Sequence, residues 1–265
     1  MFQIERIEKI LEYINSHKKA KIDELSEVFN ASKVTIRSDI NELAKEGLVI
    51  KTHGGALSIQ NHITIEIPSK SKFAINIEAK RNIGNCAAKL INNDEVIILD
   101  AGSTTLEVAR HIKSSNVTII TNDLKIGMEV ARYPNNKLIM TGGMLEQSVY
   151  TLLGEETANF FSKVHVNKLF LGCDAMDLEL GITNRTFREV SVKQAMMRAA
   201  EEVILVTDST KLHKKVFAHV CDLYDVHKII IDKIDEPTRQ KLIEGGLEVI
   251  IASASKELEQ KEKSR

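Results

Sequence analysis

The stretch Ala31-Ser32-Lys33-Val34-Thr35-Ile36-Arg37-Ser38-Asp39-Ile40-Asn41-Glu42-Leu43, with Gly47 and then Lys51-Thr52-His53-Gly54-Gly55-Ala56 behind it, decides the reading of this chain. Ser32 can accept a backbone N–H bond and cap a first helical turn. Gly47 can end the helix in a left-handed conformation that other residues avoid. At about 100° per residue, Ile36, Ile40 and Leu43 share one face, and Val34, Ser38, Asn41 and Lys45 share the other. Thr35 and Arg37 flank that outer face. A small, polar, partly basic helix of this kind fits a DNA major groove. The same periodicity also describes an ordinary amphipathic surface helix.

The neighbouring residues favour the first reading. Ile4, Ile7, Ile10, Leu11 and Ile14 predict an amphipathic helix. Asp23 is expected to cap a second, short helix with Leu25, Val28 and Phe29 inward, and Asn30-Ala31 to form the turn into the third. This is a tri-helical helix-turn-helix layout whose last helix reads the DNA. Leu48-Val49-Ile50 and His53-Gly54-Gly55 then predict a strand and a wing tip. The residues expected to face DNA are Ser32, Lys33, Val34, Thr35, Arg37, Ser38, Asn41, Lys45, Lys51 and His53.

Thr35-Ile36-Arg37-Ser38-Asp39-Ile40 followed by His53-Gly54-Gly55-Ala56 resembles the winged-helix signature of the DeoR family of bacterial transcriptional regulators. The family usually carries two adjacent arginines where this chain has Arg37 and Ser38, and often Arg at the position of Lys51. Ser38 removes a cation from the outward face.

The chain has 265 residues, enough for about two domains. Hydrophobic residues make up 43% and charged residues 28%, the ordinary balance of a globular protein. The net charge is −1, so no global basic field advertises nucleic acid. The first 57 residues hold nine basic and nine acidic side chains and are neutral as a unit. DNA binding then depends on local clustering and on a homo-oligomer, because few phosphate contacts per subunit give modest affinity. Cys86, Cys173 and Cys221 are isolated and form no CxxC pair, which excludes a disulfide framework or a cysteine zinc site and fits a reducing cytosol. The start lacks the apolar segment of a signal peptide. No apolar run approaches the roughly 20 residues needed to cross a bilayer, so a cytoplasmic location is expected. His111, His165, His213, His219 and His227 have no metal-ligand spacing, and neither metal nor cofactor is expected.

Residues 1–57 read as the DNA-binding domain, 58–72 as a linker, 73–255 as a second domain and 256–265 as a polar tail. Ile63, Ile65 and Ile67 alternate before Pro68 and suggest an edge strand in the linker. Seven apolar runs come after it: Val96–Leu99, Val117–Ile120, Leu138–Met140, Leu169–Leu171, Val203–Val206, Ile229–Ile231 and Val249–Ile251. Alternating with helical patterns, they predict an α/β domain with a mainly parallel sheet flanked by helices. Ligands of such sheets bind at the carboxyl ends of the strands.

Polar, glycine-containing turns stand at those ends. They are Asp100-Ala101-Gly102-Ser103-Thr104-Thr105, Thr121-Asn122-Asp123, Thr141-Gly142-Gly143, Gly172-Cys173-Asp174 and Asp208-Ser209-Thr210-Lys211. Gly102 permits close backbone approach, and the free N–H groups and hydroxyls of Ser103, Thr104 and Thr105 suit an anion. Singly, each turn reads equally as a helix cap or a plain turn. Together they converge on one rim, which core packing does not require.

In order, these turns resemble the motifs of the DeoR-family effector domain, so the likeness covers the chain from about Glu5 to about Val249. It implies a cytoplasmic repressor of a carbohydrate or nucleoside catabolic operon, controlled by a phosphorylated sugar, with an effector fold similar to ribose-5-phosphate isomerase. By that resemblance Ser103, Thr104, Thr105 and Lys211 would bind phosphate, and Asp100, Asn122, Asp174 and Glu189 would face sugar hydroxyls. Gly102, Thr121, Gly142 and Gly143 complete the expected site. The isomerase likeness also raises an enzyme reading, with Glu189 as the base that moves a proton between carbons and Lys211 as the steadying cation. Residues 181–187 lack the Lys and Gly-rich run that isomerases carry there. Glu189 reads alternatively as a surface residue beside Lys193.

Overall fold

Ser32 and Gly47 bound the third helix as their chemistry predicts. The Ser32 hydroxyl accepts from Thr35 N at 3.1 Å. At the other end Gly47, at φ 69°, lets Leu48 N–H reach Leu43 O at 2.8 Å and Gly47 N–H reach Ala44 O at 3.0 Å. These paired bonds satisfy the last carbonyls of the helix and turn the chain into the next strand. The structure is a computed structural model that describes residues 2–59 and 62–253. The expected tail at 256–265, and Gln60 and Asn61 in the expected linker, lie outside the described residues.

The chain divides into two compact units between Ile75 and Asn76. The first contains α1 (Gln3–His17), β1 (Lys19–Lys21), α2 (Ile22–Val28), α3 (Lys33–Lys45), β2 (Val49–Thr52), β3 (Gly55–Ser58) and α4 (Ser69–Ala74). Ile10, Ile14, Leu25, Ile36, Ile40 and Leu43 make its core. The strands form a small antiparallel sheet in the order β1-β3-β2. The turn between β2 and β3 holds His53 and Gly54, both exposed.

Several details differ from expectation. Ile4 is 73% exposed and Val28 51% exposed, because only part of each apolar stripe meets the three-helix core. Asp23 does not cap α2. The backbone N–H of Lys21 instead bonds Glu24 Oε2 at 3.2 Å, and Asp23 pairs with Lys33 at 2.8 Å. Residues 63–67 form no strand. Pro68 packs on Gly47 so closely that a Cβ there would fall 2.5 Å from its Cγ.

The second unit contains α5 (Ile77–Ala88), β4 (Val96–Leu99), α6 (Ser103–His111), β5 (Thr118–Thr121), α7 (Leu124–Val130), β6 (Lys137–Met140), β7 (Met144–Glu146), β8 (Thr151–Leu153) and α8 (Glu155–Phe161). It continues with β9 (Val166–Leu171), β10 (Ala175–Asp177), β11 (Gly181–Asn184), α9 (Val190–Ala199), β12 (Ala200–Thr207), β13 (Ala218–Cys221), β14 (Lys228–Ile231), α10 (Glu236–Glu244) and β15 (Glu248–Ile251). Seven strands form a sheet in the order β15-β14-β12-β9-β4-β5-β6, every pair parallel. The stretches of its central strands that the apolar runs marked, such as Ile97–Leu99, Leu169–Leu171 and Val203–Val206, are buried because helices pack against them, whereas β9 and β12 begin with the polar residues Asn167, Lys168, Glu201 and Glu202. Beside it lie the hairpin β7-β8 and an antiparallel sheet, β10-β11-β13.

Strand order sets where a ligand can bind. From β4 the chain moves by α6 to β5 and then to β6 on one side. From β9, which pairs with the other side of β4, it moves to β12, β14 and β15. The connections after β4 and β9 therefore leave in opposite directions and open a crevice between them, the place where open α/β sheets take their ligands.

Candidate nucleic-acid interface and small-molecule site

The outer face of α3 holds the expected reading residues. Val34, Arg37, Ser38, Asn41 and Lys45 lie on it, Thr35 is half-buried, and Ser32 and Lys33 are exposed at the helix start. Thr35 Oγ1 lies 2.8 Å from Ser32 Oγ. Lys51 and His53 are exposed on β2 and the wing turn. Asp39, the acid in the middle of the helix, is only 1% exposed. Arg6 from α1 binds it through Nε at 2.6 Å and Nη2 at 3.2 Å. The pair locks α3 to α1 and removes one negative charge from the outward face. Lys33, expected to face DNA, forms an exposed ion pair with Asp23 at 2.8 Å.

At the crevice, Asp100 follows β4 and is buried. Its Oδ2 accepts from Gly172 N at 2.9 Å and from Lys193 Nζ, joining the ends of β4 and β9. Lys193 Nζ also donates to Gly172 O at 3.0 Å and stands 4.0 Å from Glu189 Oε2. Glu189 accepts from Asn184 Nδ2 at 2.6 Å. Asp174 Oδ2 accepts from Arg185 N at 3.1 Å, and Lys211 Nζ donates to Cys173 O at 2.7 Å. Burial drives the Asp208 carboxyl up, but Lys211, the Thr210 hydroxyl, Lys80 and Asn76 outweigh it and hold the group below the usual carboxylate range. The structure thus brings Asp100, Asp174, Glu189 and Lys211 to one crevice.

On the other side of β4, Gly102 precedes α6, whose first turn has no side-chain cap. The Thr105 hydroxyl is spent on Gly102 O at 2.9 Å, and that of Thr121 accepts from Asp123 N at 3.1 Å. Ser103 is buried beside them. Thr104 Oγ1 is buried and has no partner among the described residues. Asn122 clamps β8: its Nδ2 donates to Leu152 O at 2.9 Å, while its Oδ1 is buried and unbonded among the described residues. Asp123 caps α7 through Lys125 N at 2.7 Å and Ile126 N at 3.2 Å. Burial pushes its carboxyl up to about 6, against these bonds and one from the Gly102 backbone. Gly142 is exposed, with open space where a side chain would project. Gly143 is required by packing: at φ 132° a Cβ would lie 2.2 Å from Thr157 Oγ1 and 2.8 Å from Leu153 O.

Sequence reasoning passed over Lys193, Asn184 and Asn76. Lys193 is buried, not a surface neighbour of Glu189. The one local signal for it is the i, i+4 spacing of Glu189 and Lys193, which any exposed helix also shows. Asn76, at φ 53°, ties the start of the unit to the Asp208 turn, donating to Asp208 Oδ1 at 3.0 Å and Thr210 Oγ1 at 3.1 Å. Among the described residues no cluster of His, Cys, Asp and Glu could hold a metal ion, and no helix is long and apolar enough to cross a membrane.

Comparison with known proteins matches residues 6–62 to the DeoR-like helix-turn-helix domain and residues 75–233 to the DeoR C terminal sensor domain. The chain belongs to the DeoR family. It is a helix-turn-helix DNA-binding transcriptional regulator with a C-terminal sensor domain. The HTH-type transcriptional regulator YulB of Bacillus subtilis is 32% identical over 92% of this chain and 94% of that protein. The L-fucose operon activator of Haemophilus influenzae is 32% identical over 90% of this chain and 96% of that one. The HTH-type transcriptional repressor GlcR of Bacillus subtilis is 28% identical over 95% and 97% respectively. Among solved structures, ribose 5 phosphate isomerase A from Neisseria gonorrhoeae overlaps 57% of this chain and 56% of that chain, with a TM-score of 0.37 and 16% identity. So loose an overlap lends nothing to the reading of the site.

Proposed function

We propose that this DeoR-family regulator is a cytoplasmic repressor of a carbohydrate or nucleoside catabolic operon, and that a phosphorylated sugar in the β4–β9 crevice controls its grip on operator DNA. The observation that supports this best is the pairing of two unlike surfaces at one switch point. The uncapped first turn of α6, with the buried Thr104 hydroxyl beside it, offers donors to an anion. Asp100, Asp174 and Glu189 offer acceptors to hydroxyl groups. A sugar phosphate carries both kinds of group. On this reading Gly102, Ser103, Thr104, Thr105 and Lys211 surround the phosphate, and Asn122, Gly142 and Gly143 flank the sugar.

The outward face of α3 enters the major groove, with Arg37 and Asn41 at base edges and Lys45, Lys51 and His53 toward phosphates. One such helix specifies only a short half-site, so the regulator acts as a homo-oligomer. Residues 58–72 connect the two functions. Effector binding favours one arrangement of the paired reading helices because it binds that arrangement more tightly, and operator affinity changes by the same coupling energy.

A thermal-shift screen over phosphorylated pentoses, hexoses, amino sugars and polyols tests the proposal, since a ligand of the native state alone raises the melting point. The stabilising compound should shift the protein off operator DNA in a mobility-shift titration. If no phosphorylated sugar raises the melting point, or if unphosphorylated sugars do so equally, the assignment is wrong.

A further inference from the structure

Lys193 is a buried cation with no task in either the DNA face or the phosphate end of the crevice. It lies on α9 one turn past Glu189 and is 3% exposed. Its ammonium touches Asp100 at the end of β4 and Gly172 at the end of β9, and it stands 4.0 Å from Glu189. The charged group therefore sits at the switch point itself. Burial alone would press its proton off. Asp100, Glu189 and Asp174 outweigh that, and Lys193 is held protonated above its usual range. Further titratable groups near it among the described residues include the buried thiols of Cys173 on the β9 turn and Cys221 on β13, and Lys211, whose Nζ donates to Cys173 O at 2.7 Å.

The arrangement leaves acceptors in excess. The Asp100 bonds to Gly172 and Lys193 both run through Oδ2. Asn184 is buried and spends Nδ2 on Glu189, and its Oδ1 has no partner among the described residues. At the end of β5, Asn122 Oδ1 is likewise buried without a partner among the described residues. An unsatisfied buried acceptor is costly, and a carboxylate or amide oxygen can be satisfied only by a donor. The partner that fits this end is a group bearing several O–H donors.

We propose that Lys193 is a positioning residue of the effector site: it fixes Asp100 and Glu189, with Asn184 beside them, as a set of acceptors that takes neighbouring hydroxyls of the effector, while the anionic group goes to the start of α6. The inference rests on the sugar-phosphate reading of the crevice and divides that site into a hydroxyl end governed by Lys193 and a phosphate end independent of it. Without Lys193, carboxylates crowded together no longer share a cation, which favours uptake of a proton by the set. Hydroxyl recognition then weakens and becomes pH-dependent.

The test is calorimetric titration of the full-length wild type and Lys193→Met with inorganic phosphate, ribose 5-phosphate, glucose 6-phosphate and fructose 6-phosphate at pH 6 and pH 8. For any of these sugar phosphates that binds the wild type, Lys193→Met should lose about tenfold or more in affinity, while inorganic phosphate binding changes by no more than about twofold. The residual sugar-phosphate affinity of the variant should differ between the two pH values more than that of the wild type. Equal losses for phosphate and sugar phosphate, or no loss at all, overturn the inference but leave the sugar-phosphate reading standing. Failure of every sugar phosphate to bind the wild type overturns both. If Lys193→Met does not fold, Lys193→Gln keeps a donor at that position while removing the charge and must show the same selective loss.

Discussion

The bond between Arg6 and Asp39 joins residues 33 positions apart and sets the pose of the reading helix, so breaking it should unfold the first unit ahead of the second. Arg6→Met keeps the aliphatic stem but strips two charge-assisted bonds, of 2.6 and 3.2 Å, from a carboxylate that is 1% exposed. Leaving one member of a buried pair without its partner costs about 3–5 kcal/mol in a dry interior. The Arg6 side chain keeps 15% of its surface in solvent, so water can reach the orphaned carboxylate, and about 2–3 kcal/mol is the better figure. A unit of this size has on the order of 4–10 kcal/mol to lose. The chain has four tyrosines, and Tyr13 is the one in the first unit. Fluorotyrosine NMR during urea unfolding therefore reads each unit in the intact protein. Arg6→Met should lower the midpoint of Tyr13 alone, by about 1–3 M urea for a slope of about 1–2 kcal/mol per molar. Asp39→Asn added to Arg6→Met should recover much of the loss, because the second change removes the stranded charge. A Tyr13 midpoint unchanged by Arg6→Met would refute the reasoning, as would a double variant less stable by the sum of its parts.

Arg37→Ala should weaken operator binding by about 1–3 kcal/mol, or reduce the salt slope by about one if the contact is to phosphate, without altering sugar-phosphate binding; mobility shifts at several salt concentrations check this. Thr104→Val and Thr105→Val should separate. The first removes a buried hydroxyl with no partner among the described residues and should leave the melting point level or higher while weakening effector binding; the second breaks the bond to Gly102 O and should cost about 1 kcal/mol in a urea titration. The Asp123 carboxyl, raised from 3.8 to about 6, binds its proton more tightly folded than unfolded. Its contribution to stability is full below about pH 4 and is lost as pH rises to about 6, so Asp123→Asn should flatten the pH dependence of melting across that window.

Much of the architecture was legible because its causes are local. Ser32 and Gly47 bound α3 through bonds to residues three to five positions away. Each of the seven apolar runs falls on a strand of the large sheet, since the part of a strand covered on both faces needs apolar residues at successive positions. The polar turns at their ends were legible for the same reason: a buried strand ends where its apolar run ends, and the next residues, such as Asp100-Ala101-Gly102 after β4, form the rim. The short strands β1, β7, β8, β10, β11 and β13 were not legible. Three or four residues with little alternation carry almost no signal, and their pairing depends on partners elsewhere in the chain.

The sequence by itself therefore determined the elements, the family likeness and the set of residues that could meet DNA or a small molecule. Tertiary structure alone decided which of those residues meet one another. Ile4 and Val28 fell outside the small core although they complete apolar stripes, because three short helices bury only part of each. Asp100 and Lys193 stand 93 positions apart and are joined by the order of strands in the sheet, which no local pattern encodes. Helical spacing gave Lys193 the look of a surface residue. Its burial follows from the ends of β4 and β9 converging on the helix that carries it, and a charge can remain there only because carboxylates from separate segments arrive with it.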